Sequence, residues 1–161
     1  MGKKMNKMLK SILAGTALVA LTSGAALAQG AAFSDGKIKI GVLNDRSGIY
    51  ADVAGEGSAV AARMAAEEFG NAIDGVPIEI VVADHQNKAD IAANLTRQWV
   101  DRDQVDVVAD VPNSAAALAV QEVTRDKGRI FLMSGPGSTR LTGDACSPTG
   151  FHWTYDNHAM A

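Results

Sequence analysis

The chain has 161 residues, with 15 Lys and Arg against 18 Asp and Glu, a formal net charge of −3. Four of the lysines lie in the first ten residues, in a stretch that reads as a removable leader; without it 11 basic side chains face 18 acidic ones, and a net charge of −7 repels phosphate backbones and argues against a nucleic-acid partner. A single cysteine, Cys146, excludes a cysteine-based metal or redox centre by count.

In chain order, residues 1–28 read as a signal peptide. Lys3, Lys4, Lys7 and Lys10 form its basic start, "SILAGTALVALT" its apolar core, and Ala26-Leu27-Ala28 a small-x-small cleavage site. The core is shorter than the roughly 20 apolar residues that cross a bilayer, and no cysteine follows it to carry a lipid. The expectation is a periplasmic product with no stable membrane insertion after cleavage. In that compartment Cys146 is either a lone thiol or bridged to a cysteine that this chain lacks. Residues 29–36 form a short mature lead, and 37–161 one α/β domain.

From Lys37 two periods alternate. "KIKIGVLN" reads as a strand; "GSAVAARMAAEEF" as a helix with Ala61, Met64, Ala65 and Phe69 on one stripe; "VPIEIVVAD" as the second strand. A helix from Lys88 to Asp103 places Ile91, Leu95 and Trp99 at i, i+4, i+8, with Asn87 and Asp90 spaced like a capping pair. "VDVVADV" is the third strand, "NSAAALAVQEVTRDKG" a helix ended by Gly128, "RIFLMS" the fourth strand, and "FHWTYD" a possible fifth before a last helix start. Such alternation gives right-handed βαβ units and a doubly wound parallel sheet with both faces covered.

In an open parallel sheet, ligands bind at the carboxyl ends of the strands. Three loops fall there: Asn44 to Val53, Asp110 to Ser114, and Ser134 to Thr142. Asn113 or Ser114 is placed to cap the third helix, whose free N–H groups favour a carboxylate. Gly135 and Gly137 allow close backbone approach, and Ser134, Ser138 and Thr139 offer hydroxyls. Any one of these loops could simply turn the chain; three together point to a ligand.

Other chemistries fit poorly. Gly55-Glu56-Gly57 lies about ten residues past the first strand with Val60 where a third glycine belongs, and no Gly-Lys-Ser/Thr is present, against dinucleotide and P-loop sites. His85, His152 and His158 form no HExxH pair, and no serine sits in a G-x-S-x-G elbow; Asp84-His85 reads as a turn and cap feature. Asp45, Asp110 and Ser134 mimic a phospho-acceptor receiver, but Trp153-Thr154-Tyr155 stands where its lysine would be. No enzyme activity, metal or cofactor is expected.

The leader, "KIKIGVLNDRSGIYADVAG", "GSAVAARMAAEEFGN", "IDGVPIEIVVADHQNKADIAANLTRQWVD" and "FLMSGPGSTRLTG" together resemble the periplasmic substrate-binding proteins of ABC transporters, in the branched-chain amino acid (Leu/Ile/Val) binding family. The resemblance covers about residues 37–161 and implies the first lobe of a type I periplasmic binding protein fold, truncated before a second lobe. It implies a clamp for an amino acid or a related, possibly aromatic, carboxylate, and an ABC permease as partner. By position, the implied ligand contacts are Ser47, Gly48, Tyr50, Val53, Asn113, Ser114, Gly135, Gly137 and Ser138. Pro136 stands where the family often has Ala or Ser and has no N–H to give. The same fold also serves ligand-sensing receptor domains, which is the alternative reading.

Overall fold

Period-two alternation decides which side of the sheet each residue faces. In the computed structural model, which describes Phe33 and residues 35–161, β1 (Ile38–Asn44) sends Leu43 into the main core and Ile40 and Val42 to the opposite face. β3 (Val76–Asp84), β4 (Val107–Asp110) and β5 (Ile130–Met133) pair parallel to their neighbours and alternate in the same way. Val81, Val108, Phe131 and Met133 lie on the core side, and Ile80, Ala109 and Leu132 on the other. The expected leader, and most of the lead before the domain, lie outside the described residues.

With two short strands, β2 (Ala72–Ile73) and β6 (Gly150–His152), at the edges, the strand order is β2-β3-β1-β4-β5-β6. The chain leaves β1 for β3 on one side and then crosses to β4 on the other, so the order reverses between β1 and β4, where a crevice opens at the carboxyl ends. The expected doubly wound parallel α/β sheet is therefore present, with one addition. β2 (Ala72–Ile73) pairs antiparallel with the start of β3 through a two-residue turn in which Asp74 has φ 50° and Gly75 φ 82°. Positive φ at both turn residues is the hairpin geometry that Asp-Gly favours. The possible fifth strand is only β6 (Gly150–His152), and the terminal residues form a turn rather than a helix.

Helices α2 (Ala89–Asp101) and α3 (Ser114–Asp126) pack on the core side around Trp99, Val120 and Phe131. Trp99 lies directly over Gly41 of β1, so close that a Cβ there would collide with the ring. α3 ends where expected, with Gly128 at φ 62° and Arg129 N closing on Thr124 O at 2.8 Å.

Two expectations are corrected. α2 is not capped by the Asn87 and Asp90 pair: Lys88 is its N-cap residue and makes no side-chain capping bond. Asn87 is in the left-handed region, φ 54°, and its amide is engaged elsewhere. Helix α1 (Gly55–Glu68) buries Ala59 and Ala66, not the expected stripe; Met64 is 57% and Phe69 71% exposed. Among the described residues, α1 is the one helix on the second face and covers only part of it. Ala61, Ala65 and Phe69 line an apolar groove of about 530 Å³ between α1 and the sheet.

Candidate functional site: a cleft at the strand ends

The first loop is shaped by two carboxylates. Asp45, fully buried, accepts from Gly48 N at 2.7 Å and from Tyr50 N at 3.0 Å. Asp84, ending β3, accepts from Arg46 N, Gln86 N and, at 2.6 Å, from Ser47 Oγ. Burial raises the Asp84 carboxyl, but the bonds from Arg46, Ser47 and Gln86 outweigh it and leave the group below the ordinary carboxylate range. Gly48 is fixed by contact, since a Cβ would run into the Asp45 carboxylate. With the turn held this way, Tyr50 is half-buried and Val53, 83% exposed, reaches the cleft.

The second loop starts at Asp110. Asp110 and Val111 both have positive φ, 81° and 59°. Two successive non-glycine residues in this region, one of them β-branched, are a costly backbone that the surroundings must hold in place. Asn113 then caps α3: its Oδ1 accepts from Ala116 N at 2.8 Å, and its Nδ2 donates to Asn87 Oδ1 at 2.6 Å. The amides of Ser114 and Ala115, in the first turn of α3, precede any intrahelical partner.

The third loop closes on the second. Ser134 Oγ donates to Asp110 Oδ1 at 2.6 Å, and Gly137 N donates to Ser114 Oγ at 3.2 Å. Pro136 is buried between the two glycines. The C-terminal segment folds over this loop: Tyr155 Oη donates to Gly135 O at 2.7 Å, and Asn157 N to Gly137 O at 2.8 Å.

The three loops enclose one cleft of about 580 Å³. Of the expected contacts, Tyr50, Val53, Ser114, Gly135 and Gly137 line it. Ser47, Gly48 and Asn113 instead hold the loops, and Ser138 opens a short 3-10 helix, Thr139–Leu141. Ser134, read from the sequence as a hydroxyl of the third loop though not among the implied contacts, also lines the cleft, and so do Asp110, Tyr155, Asn157 and Met160, which sequence reasoning did not select. For Asp110 and Ser134 the available signal was their place at the ends of β4 and β5. For the C-terminal residues there was none, because only the folded tail brings them back across some 20 residues to Gly135 and Gly137. Among the described residues, no Lys, Arg or His lines the cleft.

Beside the cleft, His85 is fully buried, and its Nδ1 accepts from Asn87 N at 3.0 Å. The neutral ring therefore carries its proton on Nε2, which has no partner. Burial pushes this imidazole below its usual range, against the pull of Asp45, Asp84 and Asp110. Among the described residues, no group of three His, Cys, Asp or Glu is placed to hold a metal ion, and no helix is long and apolar enough to cross a membrane.

Comparison with known proteins places this arrangement. A crystal structure of a periplasmic binding protein from Burkholderia mallei is 43% identical with a TM-score of 0.73, covering 75% of this chain and 32% of that one. A branched chain amino acid ABC transporter periplasmic ligand-binding protein from Burkholderia xenovorans is 38% identical with a TM-score of 0.72, covering 74% and 32%. An ABC transporter solute binding protein from R. palustris, solved with benzoate, is 25% identical with a TM-score of 0.70, covering 76% and 34%. The matched part is thus about a third of each relative's length. No protein of curated function matches the chain. The family described as periplasmic binding protein matches residues 37–161, and with it and the two Burkholderia structures the chain belongs to the periplasmic binding protein family.

Proposed function

We propose that the chain supplies the first wall of an extracytoplasmic solute-binding protein serving an ABC importer, for amino acids or related small carboxylates. The observation that carries this reading is the convergence of three loops, at the point where strand order reverses, on one cleft lined by hydroxyls and glycine backbone. The solute's carboxylate is held by the Ser114 hydroxyl, the first N–H groups of α3 and the backbone from Gly135 to Ser138. Ser114 Oγ accepts from Gly137 N and so keeps its own hydrogen to donate. Fixed neutral donors of this kind hold an anion without a counter-charge. Tyr50 and Val53 line the side-chain pocket. A second lobe closes over the solute, and the closed form docks on the membrane permease.

A thermal-shift panel over amino acids and aromatic acids tests this on the complete gene product. Stabilisation by a small carboxylate supports the reading, and no response to any of them counts against it. The 161-residue chain alone should bind weakly or not at all, because one wall encloses too little of the ligand; tight binding to it by titration would contradict the clamp.

A further inference from the structure

We infer that His85 is a positioning residue of the solute cleft, acting through Asn87 and Asn113 on the first turn of α3, and that a proton taken up by its ring loosens the hold on the solute. The inference rests on the solute-binding reading above and adds to it a control by pH.

His85 does not line the cleft but reaches it through three hydrogen bonds in series. Its Nδ1 accepts from Asn87 N at 3.0 Å, Asn87 Oδ1 accepts from Asn113 Nδ2 at 2.6 Å, and Asn113 Oδ1 accepts from Ala116 N at 2.8 Å. Ser114, next to Asn113 in the chain, lines the cleft. The middle of the series is a turn that does not hold itself. Gln86 and Asn87 both have φ 54°, a region that non-glycine residues enter at a cost. The turn is kept by Lys88 N on His85 O at 2.9 Å, by Gln86 N on Asp84 Oδ1 at 2.7 Å, and by the ring.

The neutral ring carries its proton on Nε2, so a second proton can go only to Nδ1, the atom that holds Asn87 N. Two N–H donors would then face each other, and the turn has to move. An Asn87 displaced from the ring cannot keep its Oδ1 on Asn113, and the amide that caps α3 is freed to rotate. The charged groups facing the ring are Asp84 on its own strand, Asp45 after β1 and Asp110 at the end of β4. The other charged groups of the neighbouring elements are exposed: Arg46 and Asp52 in the first loop, Glu56 of α1, and Lys88 and Asp90 at the start of α2. Three carboxylates favour the charged ring, burial opposes it more strongly, and titration falls below the ordinary 6.5. A liganded wall needs the cap in place and so keeps the ring neutral. Affinity is therefore highest at neutral pH and falls as pH drops below 6.5, by at most about tenfold per pH unit for one linked proton.

The test titrates the complete gene product calorimetrically with L-isoleucine, L-phenylalanine and benzoate between pH 7 and pH 5, where a solute carboxyl, titrating near about 4, stays ionised. The expected result is a dissociation constant at least about threefold higher at pH 5 for whichever of them binds, and a flat profile in His85→Asn and Asn87→Gly. The first variant keeps an acceptor for Asn87 N that does not titrate; the second suits the φ of 54° and removes the link to Asn113. Each protein is compared with itself across the range, so the uniform loss that a merely structural role gives does not imitate the effect. A second measurement needs no solute. In nuclear magnetic resonance spectra of the ligand-free protein, the Asn87 N–H, Asn113 Nδ2 and Ala116 N–H signals should shift with one midpoint below pH 6.5, and stay in place in His85→Asn. An affinity that does not change with pH in the parent, a pH dependence that survives in either folded variant, or amide signals that ignore the ring overturns this inference and leaves the solute-binding reading standing. Silence across the whole panel at both pH values removes that reading, and this inference with it.

Discussion

The side-chain amide of Asn113 joins two helices: it caps α3 through Ala116 N and, over 2.6 Å, donates to Asn87 Oδ1 in the turn ahead of α2. Asn113→Ala removes both bonds and should cost about 1–2 kcal/mol. Asn113→Asp keeps the cap but sets a carboxylate against the Asn87 carbonyl oxygen, and should fall between the alanine variant and the parent. Urea unfolding midpoints rank the three.

Ser114 offers a different kind of change. Its hydroxyl holds Gly137 N and faces the cleft, yet it is not the residue that caps the helix. Ser114→Ala should therefore weaken solute binding by about 1–3 kcal/mol while leaving the urea midpoint nearly unchanged. Calorimetric titration beside the unfolding curve separates the two effects; equal losses in both would assign the serine to structure.

Gly41 lies under the Trp99 ring, and a methyl group there cannot be added without moving α2. Gly41→Ala should destabilise by about 1–3 kcal/mol, the usual cost of overfilling a packed core. Substituting Trp99 by Leu in the same chain should restore part of that loss, which a double-mutant cycle measures.

His85 gives stability an acid dependence. Its folded imidazole titrates below the unfolded value of about 6.5 because burial penalises the charged ring. As pH falls through 6.5 the unfolded chain takes up a proton that the folded chain refuses, so stability declines from there downward. Asp84 acts in the same direction lower down: its folded carboxyl is depressed, and its contribution is lost only as pH drops below about 3.8. Unfolding midpoints at pH 7 and pH 5 should differ in the parent and converge in His85→Asn, where an amide oxygen can replace Nδ1 as the acceptor from Asn87 N.

The order of strands and helices was legible because each has a strong period, and α3 was legible at both ends through Asn113 and Gly128. β2 escaped because two residues carry no period, although Asp74-Gly75 is a hairpin signal in its own right. The α1 stripe misled because periodicity shows that a helix has an apolar side, not that a neighbour covers it. At the cleft, residue type could not separate ligand-facing from loop-holding roles. Ser47 and Ser114 are both small hydroxyl residues in loops; only the fold shows the first turned to Asp84 and the second to Gly137 and the cleft.

The side chains that fix the loops also determine what binding has to change. Asp45 and Asp84 pin the first loop, Asn113 pins the second to the turn ahead of α2, and Tyr155 and Asn157 N pin the third. A wall held at so many points has little conformational entropy left to lose when a solute arrives, so more of the contact energy remains as affinity. Under the proposed function such a wall would serve as the rigid jaw of a clamp, with the motion on closing left to whatever meets it from the other side.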